Sequence, residues 1–179
     1  MSGHNKWSKI KHKKGATDAQ RSRIFSKHSS LITMEVKKSG GITTSAGVLA
    51  AIERAKKDSM PKDVIERALA KGSGADGSTL EEVLYEGYGP GGVALIIQAV
   101  TDNSNRTTPE IRHIFSKSGF ELGTPGSAAW AFTKTADGYL PNSPMGLDDE
   151  TGEKLADLIE KLEEQDDVVN VYSGADTPE

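Results

Sequence analysis

The sequence predicts an α+β protein. A small N-terminal helical domain covers residues 1–75, and a ferredoxin-like β-α-β-β-α-β domain with an extra N-terminal strand covers residues 76–179. Three observations carry this. Apolar residues recur at helical spacing as far as Leu69. "GSGADGS" at Gly72–Ser78 then interrupts the chain with linker composition. Beyond it "VALIIQAV" is an unbroken apolar run, as expected of a central strand covered on at least one face.

The elements follow in order. "TDAQ" at Thr17–Gln20 is a capping box, and the helix it opens runs to about Lys38 with Ile24, Phe25, Leu31, Ile32 and Val36 at helical spacing. Lys37 and Lys38 suit its negative end, and Gly40–Gly41 stop it. Ser45 caps a second helix with Val48, Leu49, Ile52 and Ala55 on one face. Pro61 fits the first position of a third, which buries Val64, Ile65, Ala68 and Leu69 and ends at Gly72. Val83–Tyr88 and Val93–Thr101 read as strands joined by "GYGPGG". Thr108, Pro109 and Glu110 read as the start of a helix that Gly119 closes. "SAAWAFTK" reads as a strand, "ADG" as its turn toward "YLPNS", Asp148 to Gln165 as a helix and "VVNVYS" as the last strand. Right-handed crossovers place the last two helices on one face of an antiparallel sheet.

Charge is divided along the chain. The net charge is −4, but residues 1–71 carry +10 and residues 72–179 carry −14. Such asymmetry points to nucleic acid as a partner. The basic half begins with "GHNKWSKIKHKKG", in which Lys6, Lys9, Lys11, Lys13 and Lys14 can neutralise phosphates. Trp7 can stack on an unpaired base or anchor the arm onto the helices, and His4 and His12 can donate to phosphate or stack. Arg21, Arg23 and Lys27 continue the positive field along the first helix. His4, His12 and His28 make no metal site, because their surroundings are cationic and no cysteine or carboxylate cluster completes a ligand set.

Two loops in the acidic half are further candidates. "GYGPGG" at Gly87–Gly92 lies between strands rather than before a helix, so on spacing alone it reads as a turn. "TDNSNRT" places Asp102, Asn103, Asn105, Arg106 and Thr107 between a buried strand and a helix, a common place for a binding site. The Gly-rich loop "GFELGTPGS" could sit beside it. The carboxylates of Asp148–Asp167 read as a solvated helix face. No nucleophile elbow, zinc-protease or phosphate-loop motif occurs, which argues against an enzyme and gives no reason for a cofactor or a small-molecule substrate. No apolar stretch suits a membrane span or a signal peptide, and the absence of cysteine fits the cytoplasm.

"SGHNKWSKIKHKKGATDAQRSRIFSK", "YEGYGPGGVALIIQAVTDNSNRT", "EIRHIFSKSGFELGTPGSAAWAF" and "KLADLIEKLEEQDDVVNVY" together resemble the YebC/PmpR family over nearly the whole chain. The resemblance implies a helical domain, an α/β domain and a third domain inserted into the second. Here "TKTADGYLPNSPMGL" follows "GSAAWAF" at once, so the third domain is expected to be absent, with a short hairpin in its place. The resemblance also implies nucleic-acid contact at Gly89, Gly91, Gly92, Asn103, Asn105 and Arg106. It implies a ribosome-associated translation factor binding ribosomal RNA, with a DNA-binding transcriptional regulator as the alternative. An arm carrying Trp and His suits irregular RNA, and no helix pair shows an obvious helix-turn-helix recognition face.

Overall fold

The computed structural model describes residues 17–74 and 79–176. Three helices come first: α1 (Asp18–Lys38), α2 (Ala46–Lys57) and α3 (Lys62–Ser73). They are followed by β1 (Glu81–Tyr88), β2 (Ala94–Thr101), α4 (Ser104–Lys117), β3 (Phe132–Thr135), β4 (Gly138–Pro141), α5 (Asp149–Glu164) and β5 (Val168–Ser173). The α+β class and the β-α-β-β-α-β order with a preceding strand are those the sequence predicts.

The capping box forms as read: the Thr17 hydroxyl accepts the Gln20 amide at 3.2 Å, and the Gln20 side chain accepts the Thr17 amide. Ile32 and Val36 of α1 meet Val48, Ala51 and Ala55 of α2 and Ile65 and Ala68 of α3 in one buried cluster. Leu49 does not join them. It is half exposed, and Ala51 takes the inward position. Gly72 does not end α3 but lies buried inside it. A Cβ there would stand 2.6 Å from Val36 Cβ, so its bare backbone is what lets α3 approach α1.

β2 is the centre of a three-stranded antiparallel sheet in the order β1-β2-β5. Its two faces have different covers. Leu95, Ile97 and Ala99 pack against Ile111 and Phe115 of α4 and Leu155, Leu158 and Leu162 of α5, so both helices lie on one face. Ala94 and Ile96 pack on the other face against Ala128 and Phe132. β3 and β4 pair only with each other, as a separate hairpin laid on that second face, where Tyr139 meets Tyr172 of β5 edge-on at 5.2 Å.

Two boundaries differ from expectation. The strand predicted over "SAAWAFTK" is shortened to Phe132–Thr135, because a 3-10 turn occupies Ala129–Ala131. Glu86 causes this. Its buried carboxylate accepts the amides of Gly126, Ala128 and Ala129 at 2.7, 2.8 and 2.7 Å, which curls the chain around it. α4 begins at Ser104 rather than at Thr108, so Asn103 is its N-cap residue and Pro109 lies within it. The buried Thr107 hydroxyl supplies the reason: it donates to Asp167 Oδ2 at 2.7 Å and lies 2.8 Å from the Thr101 hydroxyl, which fixes an extra first turn.

Candidate nucleic-acid interface

His4, Lys6, Trp7, Lys9, Lys11, His12, Lys13 and Lys14 lie outside the described residues. The described part of the basic face is carried by α1. Arg21 is exposed there. On another face of the helix, Arg23 and Lys27, four residues apart, turn toward the acidic half of the chain. The Lys27 ammonium donates to the Glu163 carbonyl in the last turn of α5. Carbonyls of a last helical turn lack intrahelical partners and carry the negative end of the helix dipole, so a lysine there satisfies both. Arg23 Nε stands 3.9 Å from Asp166 Oδ1, just beyond that helix end.

Between α1 and the α5–β5 junction lies a cleft of about 380 Å³. Ile24 and Leu31 of α1 and Val169 of β5 give it apolar walls, while Glu160, Glu163 and Glu164 line it from α5. The apolar positions of α1 therefore serve two partners, Ile32 and Val36 the helical cluster and Ile24 and Leu31 this cleft. At its edge His28 Nε2 lies 2.6 Å from Asp58 Oδ2. The carboxylates at the end of α5 are thus not simply a solvated face.

Arg106 reaches the same end of the sheet from α4. Its guanidinium donates to Asp102 and Asp167, both at 3.0 Å. Asp167 opposes two tendencies. Burial works to raise its pKa, but hydrogen bonds from Thr107 and Arg106 hold it below the ordinary carboxylate range. The hydrogen bonds that the guanidinium donates, to Asp167 first and then to Asp102, in turn raise the pKa of Arg106. Asn103 and Asn105 are exposed beside it. Arg23, Lys27 and Arg106 therefore converge on the turn between α5 and β5.

The glycine loop is elsewhere. Gly89, Gly91 and Gly92 join β1 to β2 at the opposite end of the central strand, ~20 Å away at the usual rise per residue. Gly89 packs among Leu95, Leu155 and Leu158, and Gly91 adopts φ +73° against Leu147 and Thr151 at the start of α5. Gly92 faces open space. The loop "GFELGTPGS" is not beside Asn103 as expected. It lies at the glycine-loop end, because the Glu86 carbonyl accepts the Gly123 amide at 2.8 Å and its carboxylate accepts the Gly126 amide. Sequence reasoning missed Glu86, Asp167 and the cleft-facing acids, since each is defined by partners tens of residues away.

Among the described residues, no group of three or more His, Asp or Glu side chains could hold a metal ion. No helix among them is long and apolar enough to cross a membrane.

Comparison with known proteins matches residues 5–75 to the TACO1/YebC protein N-terminal domain and residues 80–137 to the TACO1/YebC second and third domain. A probable transcriptional regulatory protein of Desulforapulum autotrophicum is 49% identical over 84% of this chain, which spans 61% of that relative's length. One from Syntrophus aciditrophicus is 37% identical over 100% of this chain and 97% of its own, in an alignment of 242 positions against the 179 residues here. A crystal structure of a conserved hypothetical protein from Aquifex aeolicus superposes with a TM-score of 0.77 at 31% identity, covering 90% of this chain and 93% of the other. On the two domain matches and these relatives, the chain belongs to the TACO1/YebC family.

Proposed function

We propose that this chain is a non-enzymatic, nucleic-acid-binding regulator of gene expression. Residues 1–75, arm and helices together, grip phosphates, and residues 76–179 form the acidic body that limits indiscriminate binding. The observation that carries this reading is the charge division, +10 before residue 72 against −14 after it. Clustered lysines release counterions when they meet a phosphate backbone, which supplies affinity without sequence reading. The names of the relatives, probable transcriptional regulatory proteins, speak for DNA as the target and transcription as the process.

A second reading, ribosomal RNA and translation, has one observation in its favour. Arg23 and Lys27 are engaged with α5 and its following turn, so α1 does not present a free row of cations to a duplex groove. Lysine neutralises phosphate well but reads base edges poorly, whereas Trp7 suits unpaired bases. Contacts from Arg106, Asn103, Asn105 and the Gly89–Gly92 loop belong to either reading. Both place the protein in the cytoplasm with no cofactor, membrane or small-molecule substrate.

The test sets ribosome co-sedimentation beside a DNA-shift assay at one near-physiological salt concentration, with scrambled DNA as competitor. DNA binding that survives the competitor supports transcription. Ribosome binding with only competitor-sensitive DNA binding supports translation. Absence of both DNA binding and ribosome binding would refute the proposal.

A further inference from the structure

We propose that the C-terminal end of α5 is a built-in competitor of nucleic acid, masking the cations of α1 until a polyanion displaces it. The inference rests on the nucleic-acid reading above and adds regulation to it. Lys27 is held by the Glu163 carbonyl and Arg23 stands opposite Asp166, so two of the three α1 cations assigned to phosphate already face a negative group of the same chain. Glu160 and Glu164 line the cleft beside them. A helix C-terminus with flanking carboxylates offers these cations what a phosphate would: oxygen acceptors and negative potential.

The mask can be displaced. The Arg23–Asp166 pair is long and its aspartate side chain is 90% exposed, so it is weak and salt-sensitive. The apolar contact beneath it is confined to a few side chains around an open cleft. Masking raises the threshold for binding: an isolated phosphate cannot outcompete the local acids, whereas a strand already held by the arm gains a high effective concentration at α1.

The test compares two charge-matched triple variants of the full chain, both losing three carboxylates. One is Glu160→Gln/Glu164→Gln/Asp166→Asn, at the cleft. The other is Glu121→Gln/Asp137→Asn/Asp157→Asn, at exposed positions that do not line it. Binding is measured by fluorescence anisotropy with a labelled single-stranded RNA and a labelled DNA duplex, each of about 20 units, at ~100 mM salt and again at several-fold higher salt. The cleft variant is expected to bind at least ~3-fold tighter than the remote variant at the lower salt, the gap closing as salt rises. Binding by the cleft variant alone also supports the mask. Equal affinity of the two variants, with wild type binding, overturns the mask and leaves the nucleic-acid reading standing. A lowered melting temperature of the cleft variant without tighter binding overturns it in the same way, by assigning the contact to stability. No binding by any of the three proteins overturns both.

Discussion

The carboxylate of Glu86 accepts the backbone amide of Ala128 at 2.8 Å, across 42 positions of sequence. The same side chain accepts Gly126 and Ala129, so one strand residue organises the whole turn before β3. Removing it takes the acceptor from three amides, of which that of buried Ala128 is the most shielded from water. Glu86→Ala is expected to cost ~2–4 kcal/mol, and Glu86→Gln less, because one acceptor oxygen survives. Equilibrium urea unfolding measures both, and a loss below ~1 kcal/mol for Glu86→Ala would show that water replaces the carboxylate without penalty.

Acid should destabilise the protein through Glu86 and Asp167. Burial works to raise the pKa of each, but backbone amides for Glu86, and Thr107 with Arg106 for Asp167, bring the net value below the ordinary one. A depressed carboxylate pKa contributes stability that is full above the unfolded-state value, ~4, and is lost as pH falls through the lower folded-state value. Thermal melts from pH 6 down to about 2.5 should therefore fall steeply below pH ~4, and the Glu86→Gln/Asp167→Asn variant should show a flatter profile. Parallel profiles would exclude these two groups as the source.

Gly72→Ala tests a reversal of the usual rule. In a helix interior alanine normally gains ~1 kcal/mol over glycine. Here the new Cβ would meet Val36 Cβ at 2.6 Å and the Thr33 carbonyl at 2.8 Å. Overpacking of this kind costs ~1–3 kcal/mol, so net destabilisation is expected, seen as a lower melting temperature of the helical cluster. A rise in melting temperature would mean that α3 can slide away from α1.

Trp7→Ala and the pair Lys9→Glu/Lys13→Glu should separate stacking from charge. If about five phosphates are contacted, log K falls with log[salt] at a slope of roughly −3.5 to −4.5. The lysine pair should flatten that slope. If Trp7 stacks on a base, its loss weakens binding and leaves melting and slope nearly unchanged; if it anchors the arm, melting falls instead. Unchanged nucleic-acid binding in both variants would remove the arm from the mechanism.

Local chemistry is legible in the sequence. The Thr17–Gln20 box, the Gly40–Gly41 stop, the apolar run of β2 and the stripe of α5 are each set by side chains a turn or a pleat apart, so their spacing declares them. The same holds for the class and for the charge division, which the positions of Lys, Arg, Asp and Glu along the chain reveal. Where α4 begins was not legible, because Thr107 is drawn into the helix by Asp167, which is 60 positions away. Nor was the length of β3, which Glu86 decides from β1. The candidate site divides in the same way. Arg23, Lys27 and Arg106 could be named as cations from sequence, but only the packing of α1 and α4 around the α5–β5 turn brings them together and sets acids against them. Charge and periodicity are properties of neighbours along the chain. Whether a charge is free or already answered depends on which distant segment folds against it, and in this protein the tertiary structure answers it with the end of α5.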